Sequence, residues 1–417
     1  MSQTEYQLLT QTDTGTPCGE LMRRYWQPAA LSRDLPPGGA PLPVRLLGED
    51  LVLFRDDKGQ PGLLGLHCAH RGADLSYGRV EDGGLRCIYH GWLYDIKGHC
   101  LDQPGEPGGG EHRDSIQQTA YPCQESGGVV FAYLGPGEPP YLPAYEFLQV
   151  PDDHRLVIKV FQDCNYLQGN EGGIDPIHPS FLHRIARDSD EDQYVGVRGT
   201  DTSFLTLWER DVAPQIEVEL ADFGLRIFTI RKAGADKHYL RVTNFVYPNI
   251  SAFPAQTGAE GYNVNWHVPI DNTRHWKYMF VFSRERPLRK EIISRGRAED
   301  RNKSNRYLQD RESMKTKSYS GMAMDVPGQD TCIIEGQGPT QNREQEHLVS
   351  SDKAIIAARK LLLRAIQDVQ EGREAPHVVR EPKLNRFPQL VVLSDVIPSG
   401  TDWQDYTKKI ETTPTSA

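Results

Sequence analysis

The chain has 417 residues, a formal net charge of −10, 38% hydrophobic and 25% charged residues, and a mean hydropathy of −0.57. Without a concentrated basic surface, this acidic balance excludes nucleic acid as a partner, and no apolar run approaches the roughly 18 residues that a membrane helix needs. The segment Met1 to Thr16 lacks the basic-then-apolar pattern of a secretion signal, so a cytoplasmic protein is expected.

From about Val44 to Tyr133, short β-branched runs are broken by turn signals at 56–59, 82–84, 97–98 and 126–128, which predicts an all-β module of hairpins. The proline-rich piece from Gly135 to Pro143 interrupts regular structure and places a domain boundary near residue 145. Residues 1–145, with a core of about 26–135, then form one domain and residues 146–417 another. Beyond the boundary, Val157 to Phe161, Phe204 to Glu209, Gln215 to Leu220, Leu225 to Arg231, Tyr239 to Val246, Tyr262 to Val268 and Trp276 to Phe282 run or alternate at strand length, predicting one large antiparallel sheet. The basic stretch Arg284 to Arg306 is interspersed with acids and reads as a solvated helix face. The clearest helix is Asp352 to Glu371, capped by Ser350 or Ser351, with Ile355, Ile356, Leu362 and Ile366 at helical spacing. The tail after about Asp405 is expected to be loose. The fold class is α+β: an N-terminal β module beside a larger domain whose antiparallel sheet is flanked by helices.

Within the β module, Cys68-Ala69-His70 is followed after sixteen residues by Cys87-Ile88-Tyr89-His90. Two thiolates on one iron and two imidazoles on the other is the ligand set of a Rieske 2Fe-2S centre. Zinc competes, because two Cys and two His also satisfy a tetrahedral site. Each arm here carries one of each residue, however, as suits two loops that each supply one ligand to each iron. The other cysteines, Cys18, Cys100, Cys123, Cys164 and Cys332, are scattered and odd in number, which is no disulfide framework.

The runs His67-Cys68-Ala69-His70-Arg71-Gly72-Ala73-Asp74-Leu75 and Gly84-Leu85-Arg86-Cys87-Ile88-Tyr89-His90-Gly91-Trp92 resemble the Rieske domain of the phthalate dioxygenase-type aromatic oxygenases. Tyr25-Trp26-Gln27-Pro28 and Val44 to Asp50 resemble the entry into that domain, and Asn165-Tyr166-Leu167-Gln168 the start of the family's catalytic part. The similarity extends over nearly the whole chain.

Downstream, Asp175-Pro176-Ile177-His178-Pro179-Ser180-Phe181-Leu182-His183 offers two histidines five apart. On a regular helix that spacing turns the side chains roughly 140° from each other, so both face one ion only if the segment is distorted, and Pro179 supplies a cause. Two His and a distant carboxylate form the facial triad of non-haem iron(II) oxygenases. Resemblance assigns the carboxylate to Asp330, ahead of an apolar stretch expected to lead into the sheet interior, with Asp325 and Glu335 as rivals. Resemblance also implies that Asp175 hydrogen-bonds a Rieske histidine of the neighbouring subunit, His90 or else His70. Glu171 and Asn165 are candidates for a supporting or purely structural role. Arg226, Arg231, Arg241 and His267, on predicted strands, are candidate substrate residues.

The resemblance implies a terminal oxygenase carrying a 2Fe-2S cluster and mononuclear iron(II), using O2 and electrons from a separate NAD(P)H-dependent reductase, and assembled head to tail, most simply as a trimer. An aromatic carboxylate and ring dihydroxylation are expected, with O-demethylation of a methoxylated aromatic acid using the same metals. Two other classes compete: a Rieske electron carrier without oxygenase activity and a zinc-binding protein.

Overall fold

Turn residues cut the first 132 residues into eleven short strands in the computed structural model, which describes residues 3–185, 197–200, 202–254, 261–288, 301–322, 325–386 and 390–412. In chain order they are β1 Gln27–Leu31, β2 Leu42–Leu46, β3 Glu49–Arg55, β4 Pro61–Gly65, β5 Arg79–Glu81, β6 Gly84–Arg86, β7 Leu93–Tyr94, β8 Cys100–Asp102, β9 Ala120–Tyr121, β10 Cys123–Ser126 and β11 Val129–Ala132. They form sheets ordered β1-β11-β10, β2-β3-β4-β9 and β5-β6-β7-β8. The last is the small sheet that presents both Cys-His loops, one ahead of β5 and one between β6 and β7. Asp82 and Gly83 join β5 to β6 with φ of 52° and 80°, the two left-handed residues of the tight turn that suits the right-handed twist of a hairpin.

The second half is built on an eight-stranded antiparallel sheet: β12 Arg155–Gln162, β13 Gln215–Ala221, β14 Gly224–Lys232, β15 Lys237–Val246, β16 Ile250–Pro254, β17 Tyr262–Asp271, β18 Arg274–Phe282 and β19 Leu393–Pro398. The order is β12-β18-β17-β16-β15-β14-β13, with β19 also pairing β15. The fold is therefore α+β, as expected, and six of the predicted strands lie within this sheet.

Four expectations need correction. Phe204–Arg210 is a helix, not a strand: Ser203 Oγ accepts from the Leu205 amide at 3.2 Å as an N-cap, and Phe204, Leu205, Leu207 and Trp208 are buried on it. β16 and β19 were not anticipated. The tail is a helix, Trp403–Thr412, anchored by Trp403 against Phe228 with ring centroids 4.4 Å apart. Asp330 lies on a helix, Val326–Gly336, capped by Asp325, rather than on a run entering the sheet. Of the basic stretch Arg284 to Arg306, residues 289–300 lie outside the described residues, and 303–308 form a 3-10 turn.

The expected long helix is Lys353–Gln370. It packs on β13 and β14 and on two N-terminal helices, Gln3–Thr10 and Pro17–Met22. The first residues of the chain, grouped by sequence with the β module, thus lie against the second half.

Between the long helix and the sheet runs the short helix Tyr166–Ile174, which leads directly to Asp175. Asn165 caps it, accepting from the Leu167 amide at 3.0 Å while its own Nδ2 donates to the carbonyls of Thr10 and Asn272. Gly169 and Gly173 let it approach the sheet closely: a Cβ at those positions would stand 2.4 Å from His267 Nδ1 and 2.2 Å from Ser251 Oγ. Its carboxylate Glu171 is buried and held by Arg359, with Nε to Oε1 at 2.6 Å and Nη2 to Oε2 at 2.9 Å, and by Arg343 at 3.2 Å. Burial alone would raise the Glu171 pKa, but Arg343 and Arg359 hold it below the ordinary carboxylate value. Its stabilisation is therefore complete above the unfolded value of about 4.3 and is lost as pH falls through the lower folded value.

Arg359→Met would strand Glu171 and Glu346 without their shared cation. A loss of about 3–5 kcal/mol is expected, read as a fall in denaturant midpoint at neutral pH with unchanged slope. A loss below about 1 kcal/mol would show that Arg343 suffices.

Candidate functional site

The two Cys-His loops are built alike. In the first, the Cys68 amide donates to Ala73 O at 2.8 Å and the Gly72 amide to Cys68 O at 2.8 Å; in the second, Cys87 N reaches Trp92 O at 2.8 Å and Gly91 N reaches Cys87 O at 3.0 Å. Gly72 and Gly91 turn each loop at φ of 71° and 79°. The result buries both thiols, each 3% exposed, and leaves both imidazoles partly exposed, their ring centroids 4.6 Å apart. Trp92 stacks on His70 at 4.4 Å, and Tyr94 OH lies 3.2 Å from Cys68 Sγ. Burial raises the Cys87 thiol pKa; the amides of Tyr89 and His90 aimed at the sulfur oppose this, and nearby Cys68 adds to it. His70 Nδ1 is buried without a hydrogen-bond partner. Paired thiols inside, paired imidazoles outside and an orphaned ring nitrogen fit a two-iron cluster.

The second site forms where the segment after Asp175 meets the helix Val326–Gly336. His178–Ser180 is a 3-10 turn containing Pro179, with the Phe181 and Leu182 amides both donating to His178 O. This is the distortion that the five-residue spacing requires: the two rings sit 5.1 Å apart at 83°. Asp330 Oδ1 lies 3.2 Å from His183 Nε2 and 3.7 Å from His178 Nε2, and the three donor atoms all fall within 4.8 Å of one another. Ligands about 2.1 Å from an ion at right angles stand roughly 3 Å apart, so the set fits a metal. Burial would raise the Asp330 pKa, yet His183, His178 and Lys277 hold it below the ordinary carboxylate value, in the ionised form a ligand needs. Its rivals are otherwise engaged: Asp325 caps the helix and pairs with Arg301 at 3.0 Å, and Glu335 accepts from the Asp163 amide and from Tyr307 OH.

Neighbouring groups orient these side chains. Gln329 Oε1 accepts from His183 Nδ1 at 2.6 Å, which leaves the Nε2 lone pair towards Asp330. Asp175 Oδ2 lies 3.6 Å from His178 Nδ1, and its Oδ1 accepts from the Ile177 amide at 2.7 Å. Arg231 Nη2 donates to Pro176 O at 2.7 Å and Ser180 Oγ at 3.2 Å, bracing the turn that carries His178.

His178, His183 and Asp330 open into a cavity of about 820 Å³ including its mouth, floored by the large sheet and walled in part by Trp208. Of the four candidate substrate residues, Arg241 lines it, its guanidinium 5.3 Å from the Trp208 ring centroid. The structure does not bring the other three there. Arg226 pairs with Glu219 at 2.9 Å, and Arg231 braces the turn. His267 donates Nδ1–H to His275 Nε2 at 3.0 Å beneath Gly169, and burial keeps its pKa far below the ordinary value and its ring neutral. Sequence reasoning missed Lys277, Trp208, Asn263 and Asn265 on the cavity wall. The signal was present for three of them: a lysine between Trp276 and Tyr278, and asparagines alternating with Val264 and Trp266, each place a polar residue on one face of an apolar strand.

Comparison with known proteins follows this division. Residues 25–120 match the Rieske [2Fe-2S] domain, and residues 132–416 match the LigXa C-terminal domain like family. The oxygenase subunit of phthalate 4,5-dioxygenase from Pseudomonas putida is 33% identical over 96% of this chain and 93% of its own length. The chain belongs to the Rieske oxygenases. The alpha subunit of phenoxybenzoate dioxygenase from Ectopseudomonas oleovorans is 35% identical over 86% of this Rieske oxygenase and 84% of its own length. The oxygenase subunit of 5,5'-dehydrodivanillate O-demethylase from a Sphingobium strain is 30% identical over 94% and 87%. A solved structure of the QL mutant of NdmA from Pseudomonas putida CBB5 with theobromine superposes at a TM-score of 0.60 with 20% identity, covering 86% of this chain and 95% of that one, and shows a shared fold. A Rieske oxygenase carries a 2Fe-2S cluster and a mononuclear non-haem iron and consumes O2. The cluster reading thus prevails over zinc. No helix among the described residues is long and apolar enough to cross a membrane.

Gln329→Leu removes the acceptor that sets the His183 tautomer while keeping its bulk. Iron affinity is expected to fall about 10- to 100-fold, measured by anaerobic iron(II) titration of the folded apoprotein. Unchanged affinity would mean that packing alone holds the ring.

Proposed function

We propose that this Rieske oxygenase is the terminal component of a multicomponent system that oxygenates an aromatic carboxylate, with electrons from a separate NAD(P)H-dependent reductase. The observation that carries the reading is that the His178, His183 and Asp330 site opens into a cavity holding Arg241, whose guanidinium has no hydrogen-bonding or ionic partner among the described residues. Cys68, His70, Cys87 and His90 hold the cluster; His178, His183 and Asp330 hold the iron. When bound, these groups supply single electrons and the activation of O2. The chain's residues bind and orient. Arg241 receives the carboxylate in its planar fork, with Trp208 beneath it as a stacking surface. Ile227, Phe253, Met279 and Val281 line the path of the ring and exclude water. Gln329 and Asp175 hold the two histidines at the edge of the cavity.

Ring dihydroxylation is the first reading. The O-demethylase relative supports a second, removal of a methyl group from a methoxylated aromatic acid by the same residues.

The reading extends to assembly. Asp175 also lines a second, outward-opening depression with Gln341, His347 and Asp352. The cluster histidines stand beside Ile88 and Tyr89, which are 61% and 56% exposed, apolar surface that another subunit can cover. A head-to-tail ring, most simply a trimer, would place His90 of the partner subunit against Asp175. The protein is cytoplasmic in this account, and its two domains divide near residue 145.

Metal content and turnover test the whole. The protein should carry about three irons and two acid-labile sulfides per chain. His178→Ala should lose one iron, keep its sulfide and abolish benzoate- or phthalate-dependent oxygen uptake supported by a reductase. Uptake that survives without the third iron would leave an electron carrier. Equal uptake with benzamide and benzoate would remove the carboxylate from the proposal.

A further inference from the structure

The helix Val326–Gly336, which brings Asp330 to the two histidines, is held near both ends by one short segment, Arg301 to Leu308. At the start of the helix, Arg301 Nε pairs at 3.0 Å with Oδ2 of Asp325, the capping residue. In its last turn, the buried carboxylate of Glu335 accepts from the Tyr307 hydroxyl on Oε2 and from the Asp163 amide on Oε1, the latter at 2.8 Å. Asp163 leads through Cys164 and Asn165 into the helix Tyr166–Ile174, and so to His178. Glu335 therefore ties the carrier of Asp330 to the chain that carries the histidines, and Tyr307 holds Glu335 from the third side.

The segment that presents Tyr307 is strained. Arg306, Tyr307 and Leu308 stand at φ of 53°, 54° and 50°, three consecutive residues in the left-handed region, none of them glycine, asparagine or aspartate. Single residues visit that region at turns, but in a run each Cβ crowds the following carbonyl oxygen. Such a conformation persists only where its surroundings overdetermine it. Here the Tyr307 amide donates to Asn302 O at 2.9 Å, its carbonyl accepts from Arg301 Nη1 at 2.7 Å, and its buried ring ends on Glu335. The entry is fixed as well: the Asn302 amide donates to Asn305 Oδ1 at 3.0 Å, and Asn302 Oδ1 accepts from the Ser304 amide at 2.9 Å. A right-handed or extended path through 306–308 would carry the Tyr307 hydroxyl away from Glu335.

We propose that the left-handed turn is a clasp and Tyr307 a positioning residue for the metal site, setting the helix Val326–Gly336, and with it Asp330, against His178 and His183. The inference rests on the assignment of these three residues as the iron site and is independent of the substrate. Tyr307 does not line the cavity, and it acts through Glu335. Val326 and Pro327, on the same helix, do line it, so the clasp also sets that part of the wall. Strain in the turn opposes the bonds that hold it, which lets substitution loosen the clasp from one side and tighten it from the other.

Iron(II) release into a chelator from the cluster-loaded protein, measured beside acid-labile sulfide and the denaturant midpoint, tests this. Tyr307→Phe keeps the ring and removes the hydroxyl. It should release the mononuclear iron at least about ten-fold faster with sulfide unchanged. Leu308→Gly relieves the turn without touching Glu335, and should raise the midpoint and slow iron release. A Tyr307→Phe protein with a lower midpoint but the unsubstituted release rate overturns the proposal, because Tyr307 would then serve folding alone. Faster release from Leu308→Gly overturns it too, and that variant decides the matter if Tyr307→Phe does not fold. An unsubstituted protein that takes up no mononuclear iron would instead remove the site assignment on which the clasp rests.

Discussion

The ion cluster around Glu171 decides where His178 and His183 stand. The helix Tyr166–Ile174 that carries it is nine residues long and contains Gly169, Gly172 and Gly173, a composition that is poor at holding a helix by itself. Its position depends instead on Arg359 and Arg343, which grip Glu171 from the long helix and from the turn before it. Asp175 follows as the C-cap and His178 three residues later, so the clamp sets the distance from His178 to Asp330 on another element. The glycines that weaken the helix are also what allows it to lie on the sheet, because side chains at Gly169 and Gly173 would collide with His267 and Ser251. Intrinsic stability is given up for a close approach, and buried charge restores the position.

Electrostatics at the site follow from the choice of neighbours. His183 is oriented by the neutral amide of Gln329 rather than by a carboxylate, so no further negative charge is added beside Asp330. A divalent ion held by two neutral imidazoles and one carboxylate would keep a net positive charge. Arg241 and Lys277 line the same cavity as the carboxylates of Asp175 and Asp330, so a divalent ion held there would leave the interior locally positive in a chain whose net charge is −10. Such a cavity within low-dielectric walls draws anionic ligands and turns away cationic ones.

How much of this was legible in the sequence depended on the range of the interaction. The Cys-His loops are local: Cys68 to Ala73 and Cys87 to Trp92 close on themselves through their own backbone bonds, so their residues announce the site. The strands with clean alternation were legible as well. Phe204 to Glu209 misled because it is a short, mostly apolar run of strand length, while the Ser203 cap and the packing of Phe204 on Trp208 at 4.7 Å belong to a helix. Arg226 and Arg231 look from their strands like pocket cations, but their partners, Glu219 and the carbonyl of Pro176, are set by strand pairing and loop packing. Lys277 is visible as a lone charge in an apolar strand, yet what it faces depends on four strands being brought into register.

That register ties the cavity to the core. Val264, Trp266 and Val268 on β17, with Tyr278, Phe280 and Phe282 on β18, are buried in the main hydrophobic cluster. Asn263, Asn265, Lys277, Met279 and Val281 alternate with them and face the cavity. A slip of one residue between the strands would send every member of one set to the other face, putting a lysine and two amides into the core and aromatic rings into the cavity. The free energy that buries Trp266 and Phe280 therefore also enforces the placement of Lys277 and the asparagines. The alternate positions line the cavity from the face of the sheet opposite the main core, so the cavity wall and the core are set by different residues of the same strands.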